Sequence, residues 1–160
     1  MSFAVGEIVG HRYWVVSWEG NLFGPHSWCH WHPEEAMSGG NVNRSGHVGV
    51  YALKTKDLVE GFVANVSARR ELAKTWRSPP LLPPAGQQGP VALAIGTVSL
   101  WGTIWEHETG VRAQFGRVRT IDEWLEGEEF DQRRTEGVLL HRLRMKYGCA
   151  STQEMNFNVV

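Results

Sequence analysis

The sequence predicts an α+β fold: a mainly antiparallel, partly closed β-sheet with two or three helices. Three observations carry this. The run from Gly89 to Phe115 (GPVALAIGTVSLWGTIWEHETGVRAQF) is apolar and β-prone, breaks at a turn and resumes, as a long central hairpin does. Two further segments, His11–Trp18 and His47–Leu53, alternate apolar residues at period two. Between Lys54 and Trp76, Leu58, Phe62 and Val66 repeat at i, i+4 with Val59 and Val63 beside them, the stripe of a helix packed on one side.

In order along the chain, the first strand places Trp14, Val16 and Trp18 on one face. Glu19-Gly20-Asn21 is a turn, and Leu22-Phe23 starts a return strand closed by Gly24-Pro25. His26–Pro33 (HSWCHWHP) has the most unusual composition of any segment, and Ser38–Gly46 is a flexible loop by its Gly, Asn and Ser content. In the strand at 47–53, Val48, Val50 and Ala52 share one side, with Tyr51 and Leu53 opposite. Thr55 or Asp57 caps the helix that follows. Ser78–Pro90 holds five prolines and forms a stiff connector.

In the hairpin, Ala94, Gly96, Val98, Leu100, Gly102 and Ile104 form a small apolar face suited to a core. Ile95, Thr97, Ser99, Trp101, Thr103 and Trp105 form a half-wet face. A bulge at Gly102 would break this assignment by flipping everything after it. Thr109-Gly110 turns the chain. Beyond it Val111, Ala113 and Phe115 share a face, with Arg112 and Gln114 on the other. Thr120-Ile121-Asp122-Glu123 matches a capping box and predicts a short helix through Trp124 and Leu125. Arg133–Lys146 reads as a last helix, with Val138, Leu139, Leu143 and Tyr147 near one face, ended by Gly148. Residues 1–148 are expected to form one globular domain and residues 149–160 a loosely held tail.

At 160 residues, one core suffices without a disulfide or metal. Cys29 and Cys149, the two cysteines, do not form a secreted disulfide framework, and Met1–Gly10 lacks the pattern of a secretory signal, so a reducing cytoplasmic setting is expected. No run approaches 18 apolar residues, so no membrane partner is expected. A net charge of −1 argues against a broadly basic nucleic-acid protein and leaves room only for a local patch.

Four constellations bear on chemistry. His26, Cys29, His30 and His32 are metal-ligating types within seven residues, but a second ligand pair is missing; a tryptophan-rich loop that holds histidines is the plainer reading, and neither metal nor cofactor is expected. Glu106-His107-Glu108 sets a histidine between carboxylates, which favours its cation and suits proton transfer; an exposed polar turn explains it as well, and no catalytic residue is assigned. Eight tryptophans are many for this length. Trp28, Trp31, Trp101 and Trp105, with Arg112 and His107, are the candidate ligand-binding residues, because stacking platforms beside local cations suit single-stranded nucleic acid or a nucleotide. Core tryptophans are the alternative. Finally, Asp122–Asp131 holds six acids and Arg133–Lys146 five bases; the two runs pair with each other or present charge to a partner protein.

The motifs HRYW (His11–Trp14), WHPEEAM (Trp31–Met37), VGVYALK (Val48–Lys54), GTVSLWGTIWEHETGVRA (Gly96–Ala113) and KYG (Lys146–Gly148) occur in that order. Together they resemble a group of small uncharacterised proteins from actinobacteria and their phages, over about residues 10–148. That group carries cysteines just before its GVYA equivalent, where this chain has Gly46 and Val48. The element order is also similar to that of PUA-like barrels of the ASCH and EVE type. This similarity implies a PUA-like barrel that binds RNA or modified bases in an aromatic-lined cleft. The leading expectation is therefore a non-enzymatic binding module for nucleic acid or a modified nucleotide. An accessory factor acting on a host protein is the alternative. A hydrolase or nuclease using Glu106 and His107 is the third.

Overall fold

A computed structural model describes residues 7–17, 19–24, 30–40, 42, 49–65, 92–125 and 136–148. Among these residues, seven strands and two helices are seen: β1 (Ile8–Val16), β2 (Leu22–Phe23), β3 (His30–Trp31), β4 (Met37–Ser38), β5 (Val50–Leu53), α1 (Lys56–Val63), β6 (Ala92–Glu106), β7 (Gly110–Leu125) and α2 (Glu136–Tyr147). The fold is α+β, and every strand pair is antiparallel.

The β6–β7 hairpin is the axis of the sheet. β1 lies along the first part of β6, from Ile8 opposite Leu100 to Val16 opposite Ala92. β5 then bridges β1 and β7, with Leu53 opposite both His11 and Gly110. These four strands make a ring, which β2–β3 and β4 extend at the edges; the sheet is partly closed without becoming a clear barrel. α2 spans the open side. Its Tyr147 hydroxyl accepts the Leu22 N–H at 2.9 Å and donates to the Trp31 carbonyl, while Arg144 Nε donates to the Ile121 carbonyl at 2.8 Å.

Apolar side chains pack on both sides of this sheet. Inside the ring, Trp14, Val98, Leu100, Ile104, Ala113 and Ile121 cluster with Leu143 and Tyr147 of α2. Outside it, Tyr13, Val15, Leu93 and Ile95 pack under Val59 and Val63 of α1. α1 begins as the sequence suggests: Thr55 has extended backbone and its Oγ1 accepts the Leu58 N–H at 3.4 Å.

The structure corrects several expectations. Every residue from Ala92 to Val98 is buried, so Ile95 and Thr97 lie under cover and the half-wet face begins at Ser99. The reason is α1, whose packing turns an alternating strand into one buried on both faces. Thr120–Glu123 caps no helix: β7 continues as strand to Leu125, with Ile121 and Trp124 in the core. Thr120 Oγ1 instead bonds sideways to Thr97 Oγ1 at 2.6 Å and donates to Asp122 Oδ2 at 3.2 Å, so cross-strand pairing overrides the local capping signal. The first strand starts at Ile8, and the third strand of the prediction is resolved as Val50–Leu53. Met37–Ser38, at the start of the expected loop, pairs with Gly116 and Phe115. α1 is seen over Lys56–Val63; the rest of the 54–76 prediction beyond Asn65, the proline connector, most of the acidic run, Trp18, Val48 and the 149–160 tail lie outside the described residues.

Candidate functional site

β6 from Ser99 onward has an inner and an outer side. Leu100 and Ile104 point into the core, so Trp101, Thr103 and Trp105 face outward, each partly exposed. A bulge is present at Gly102: between the pairs Trp101–Phe115 and Ile104–Ala113, two residues of β6, Gly102 and Thr103, face one of β7, Gln114. It does not flip the strand. β7 absorbs the mismatch instead, and Phe115 leaves the side of Val111 and Ala113 to lie opposite Trp101. The two rings stack at 6.0 Å and 26°.

Gly102 makes this possible. Its φ of +82° is a left-handed conformation that side chains resist, and a Cβ there would come within 2.8 Å of Gln114 Oε1 and 3.0 Å of the Phe115 ring. Gln114 closes the gap by accepting the Thr103 N–H at 3.3 Å. Phe115, Gly102 and Gln114 are thus site residues that alternation alone misses; the glycine within an apolar strand was the available signal.

One step toward the hairpin tip, Arg112 lies between Tyr51 on β5 and Trp105 on β6 in the register of the sheet. It is only 4% exposed, so it is a packed cation and not an open phosphate contact. Its Nε donates to His107 Nε2 at 2.8 Å. Gly49 leaves room for it, since a Cβ there would come within 3.1 Å of the Arg112 Cβ. Tyr51, a further aromatic that the sequence reading left out of the site, is 41% exposed and lies across Gly110. Among the described residues, Arg117 is an exposed cation on this surface, two residues beyond Phe115 and opposite Ser99. Its guanidinium reaches the Glu34 carbonyl at 3.4 Å.

Among the described members of the predicted set, Trp31 does not join Trp101 and Trp105. Trp31 is 2% exposed, stands edge-on to Trp14 at 5.7 Å inside the ring, and carries the Arg12 guanidinium over its face at 4.6 Å. Trp28 lies outside the described residues, as do His26, Cys29 and Cys149. His30 and His32 come together at 4.1 Å between ring centres, with Phe23 5.0 Å from His30. Burial first, then His32 and Lys146, pushes the His30 pKa down. Among the described residues, no group of three or more metal-ligating side chains is gathered.

At the tip, Lys54 holds Glu106 at 2.8 Å and keeps its carboxyl below the usual range, while His107 Nε2 is taken by Arg112. A second polar cluster, absent from the sequence reading, sits where α1 begins. Lys56 bridges Glu123 at 2.8 Å and Glu60 at 3.5 Å, which raises its pKa. His11, opposite Thr97, has its pKa lowered by burial, opposed by Asp122 and reinforced by Lys56.

The chain matches no known protein family, curated protein or solved structure in these comparisons. The aromatic surface therefore stands on its own geometry. No described helix is long and apolar enough to cross a membrane.

Proposed function

We propose that this domain is a binding module for single-stranded nucleic acid, which it holds on the outer face of the β6–β7 hairpin. The observation that carries the reading is the Trp101–Phe115 stack, partly exposed and followed along the same face by Trp105 and Tyr51. Aromatic rings on an open sheet offer bases a stacking partner whatever their sequence. Arg117 supplies a cation beside the stack, and the nearby Glu106 carboxylate is already paired with Lys54. Arg112, packed between Tyr51 and Trp105 in the sheet and bonded to His107, acts on this reading as support for the hairpin tip and not as a ligand contact.

With Arg117 as the cation described beside the stack and a net charge of −1, affinity on this reading comes from stacking more than from phosphates. Binding should therefore depend only shallowly on salt: one or two phosphate contacts give a slope of about −0.7 to −1.4 in log affinity against log salt for a single strand. The test is intrinsic tryptophan fluorescence titrated with single-stranded DNA and RNA at several salt concentrations. Quenching with a shallow slope is expected. A steep slope of many contacts, or no quenching at low salt, contradicts the reading.

A further inference from the structure

We infer that the ligand strand must lie unstacked along the hairpin, one base on the Trp101–Phe115 pair and another at Trp105, so that the site selects a short single strand over both duplex and mononucleotide. This inference rests on the nucleic-acid reading above and adds to it the form of ligand.

The argument is one of spacing. Phe115 lies opposite Trp101 and Arg112 opposite Trp105, so the two aromatic rows are separated by the three residues from Phe115 to Arg112. At a strand rise of roughly 3.3 Å per residue, that places them about 10 Å apart. Bases in a helical stack follow one another at about 3.4 Å. Neighbouring bases of an intact stack therefore cannot occupy both rows, and in a duplex the faces that the rows would meet are already covered. A single strand can open its stack and reach both.

Three further features agree with a linear path. Arg117 lies two residues beyond Phe115, about 7 Å along the strand, where a phosphate flanking the first base would pass. Tyr51, 41% exposed, flanks the second row from β5 and widens it without adding a third position along β6. The Trp101 and Phe115 ring centres are 6.0 Å apart and nearly parallel, too close to admit a base between them, so the pair acts as one platform. The site thus has two stacking positions and one charged end.

The test is a competition series read by fluorescence anisotropy. A labelled oligothymidylate is displaced by thymidine monophosphate, the di- and tetranucleotide, a longer single strand and a duplex of the same length. Affinity is expected to rise from mononucleotide to tetranucleotide by roughly 5- to 150-fold, the worth of one additional stacked base, and then to level off. The duplex should compete worse than the tetranucleotide. Trp101→Ala and Trp105→Ala should each weaken the tetranucleotide by a comparable factor and leave the mononucleotide affected by only one of the two. Trp101→Phe and Trp105→Phe, which keep a ring, should restore most of the loss and guard against a folding defect. If mononucleotide and tetranucleotide compete equally, or the duplex competes as well as the single strand, the two-row inference is wrong while nucleic-acid binding stands. If the labelled strand does not bind at all, both fall.

Discussion

An arginine that is only 4% exposed needs acceptors for its donors, and His107 Nε2 supplies one to Arg112 at 2.8 Å. Removing it leaves a buried charged donor short of a partner. His107→Ala is expected to lower stability by about 1–3 kcal/mol in urea unfolding, where a merely exposed turn histidine would change almost nothing. His30 and His11 make a different prediction. Burial holds both below the ordinary value of 6.5, so the unfolded chain binds more protons than the folded one as pH falls through that value. Stability is therefore full above that pH and declines below it. His30→Phe should flatten the acid side of a plot of Tm against pH; an unchanged slope would show that this burial does not act. At this scale the sequence was legible only by residue type. Trp31 and Trp101 are the same residue in equally aromatic surroundings, yet one lies inside the ring and the other outside. Long-range pairing separated them, and composition carries no trace of it.

The bulge in β6 sets the direction of the aromatic face. Gly102 is held at φ +82° with Gln114 and Phe115 against the space a Cβ would fill. Gly102→Ala should cost about 1–2 kcal/mol from the backbone alone, with crowding added, and should pull Phe115 away from Trp101. Reduced Tm together with a loss of near-ultraviolet circular dichroism from the indole is the expected result; an unaltered aromatic signal would mean that the glycine does not position the pair. The hairpin itself was readable, because its alternation and the Thr109-Gly110 turn are local signals. So were the helix cap, narrowed to Thr55 or Asp57 and found at Thr55, and the stop at Gly148, whose φ is +59°. The Thr120–Glu123 signal misled for a physical reason. A capping box describes what a threonine can do with nearby amides, whereas here Thr97 across the strand captured the same hydroxyl at 2.6 Å.

The ring of β1, β6, β7 and β5 is closed on one side by a four-residue strand and spanned on the other by α2. Tyr147 joins α2 to β2 and β3 through the Leu22 N–H and the Trp31 carbonyl. Tyr147→Phe keeps the ring and removes both bonds, so it should cost about 1–3 kcal/mol and lower the hydrogen-exchange protection of Leu22. Unchanged protection there would place the closure elsewhere. Partial closure was expected with the fold class, but the contacts that make it were not visible in the sequence, since Leu22 and Tyr147 are far apart in the chain and nothing local pairs them. The class of fold was visible, because a long hairpin, two further strands and amphipathic helices admit few other arrangements. The separation of inner from outer tryptophans follows from the ring, and it makes the proposed function directly testable by NMR on the indole N–H signals of the eight tryptophans during titration with a single-stranded oligonucleotide. The signals of Trp101 and Trp105 should shift while those of Trp14 and Trp31 stay in place; shifts that spare Trp101 and Trp105 would contradict the account.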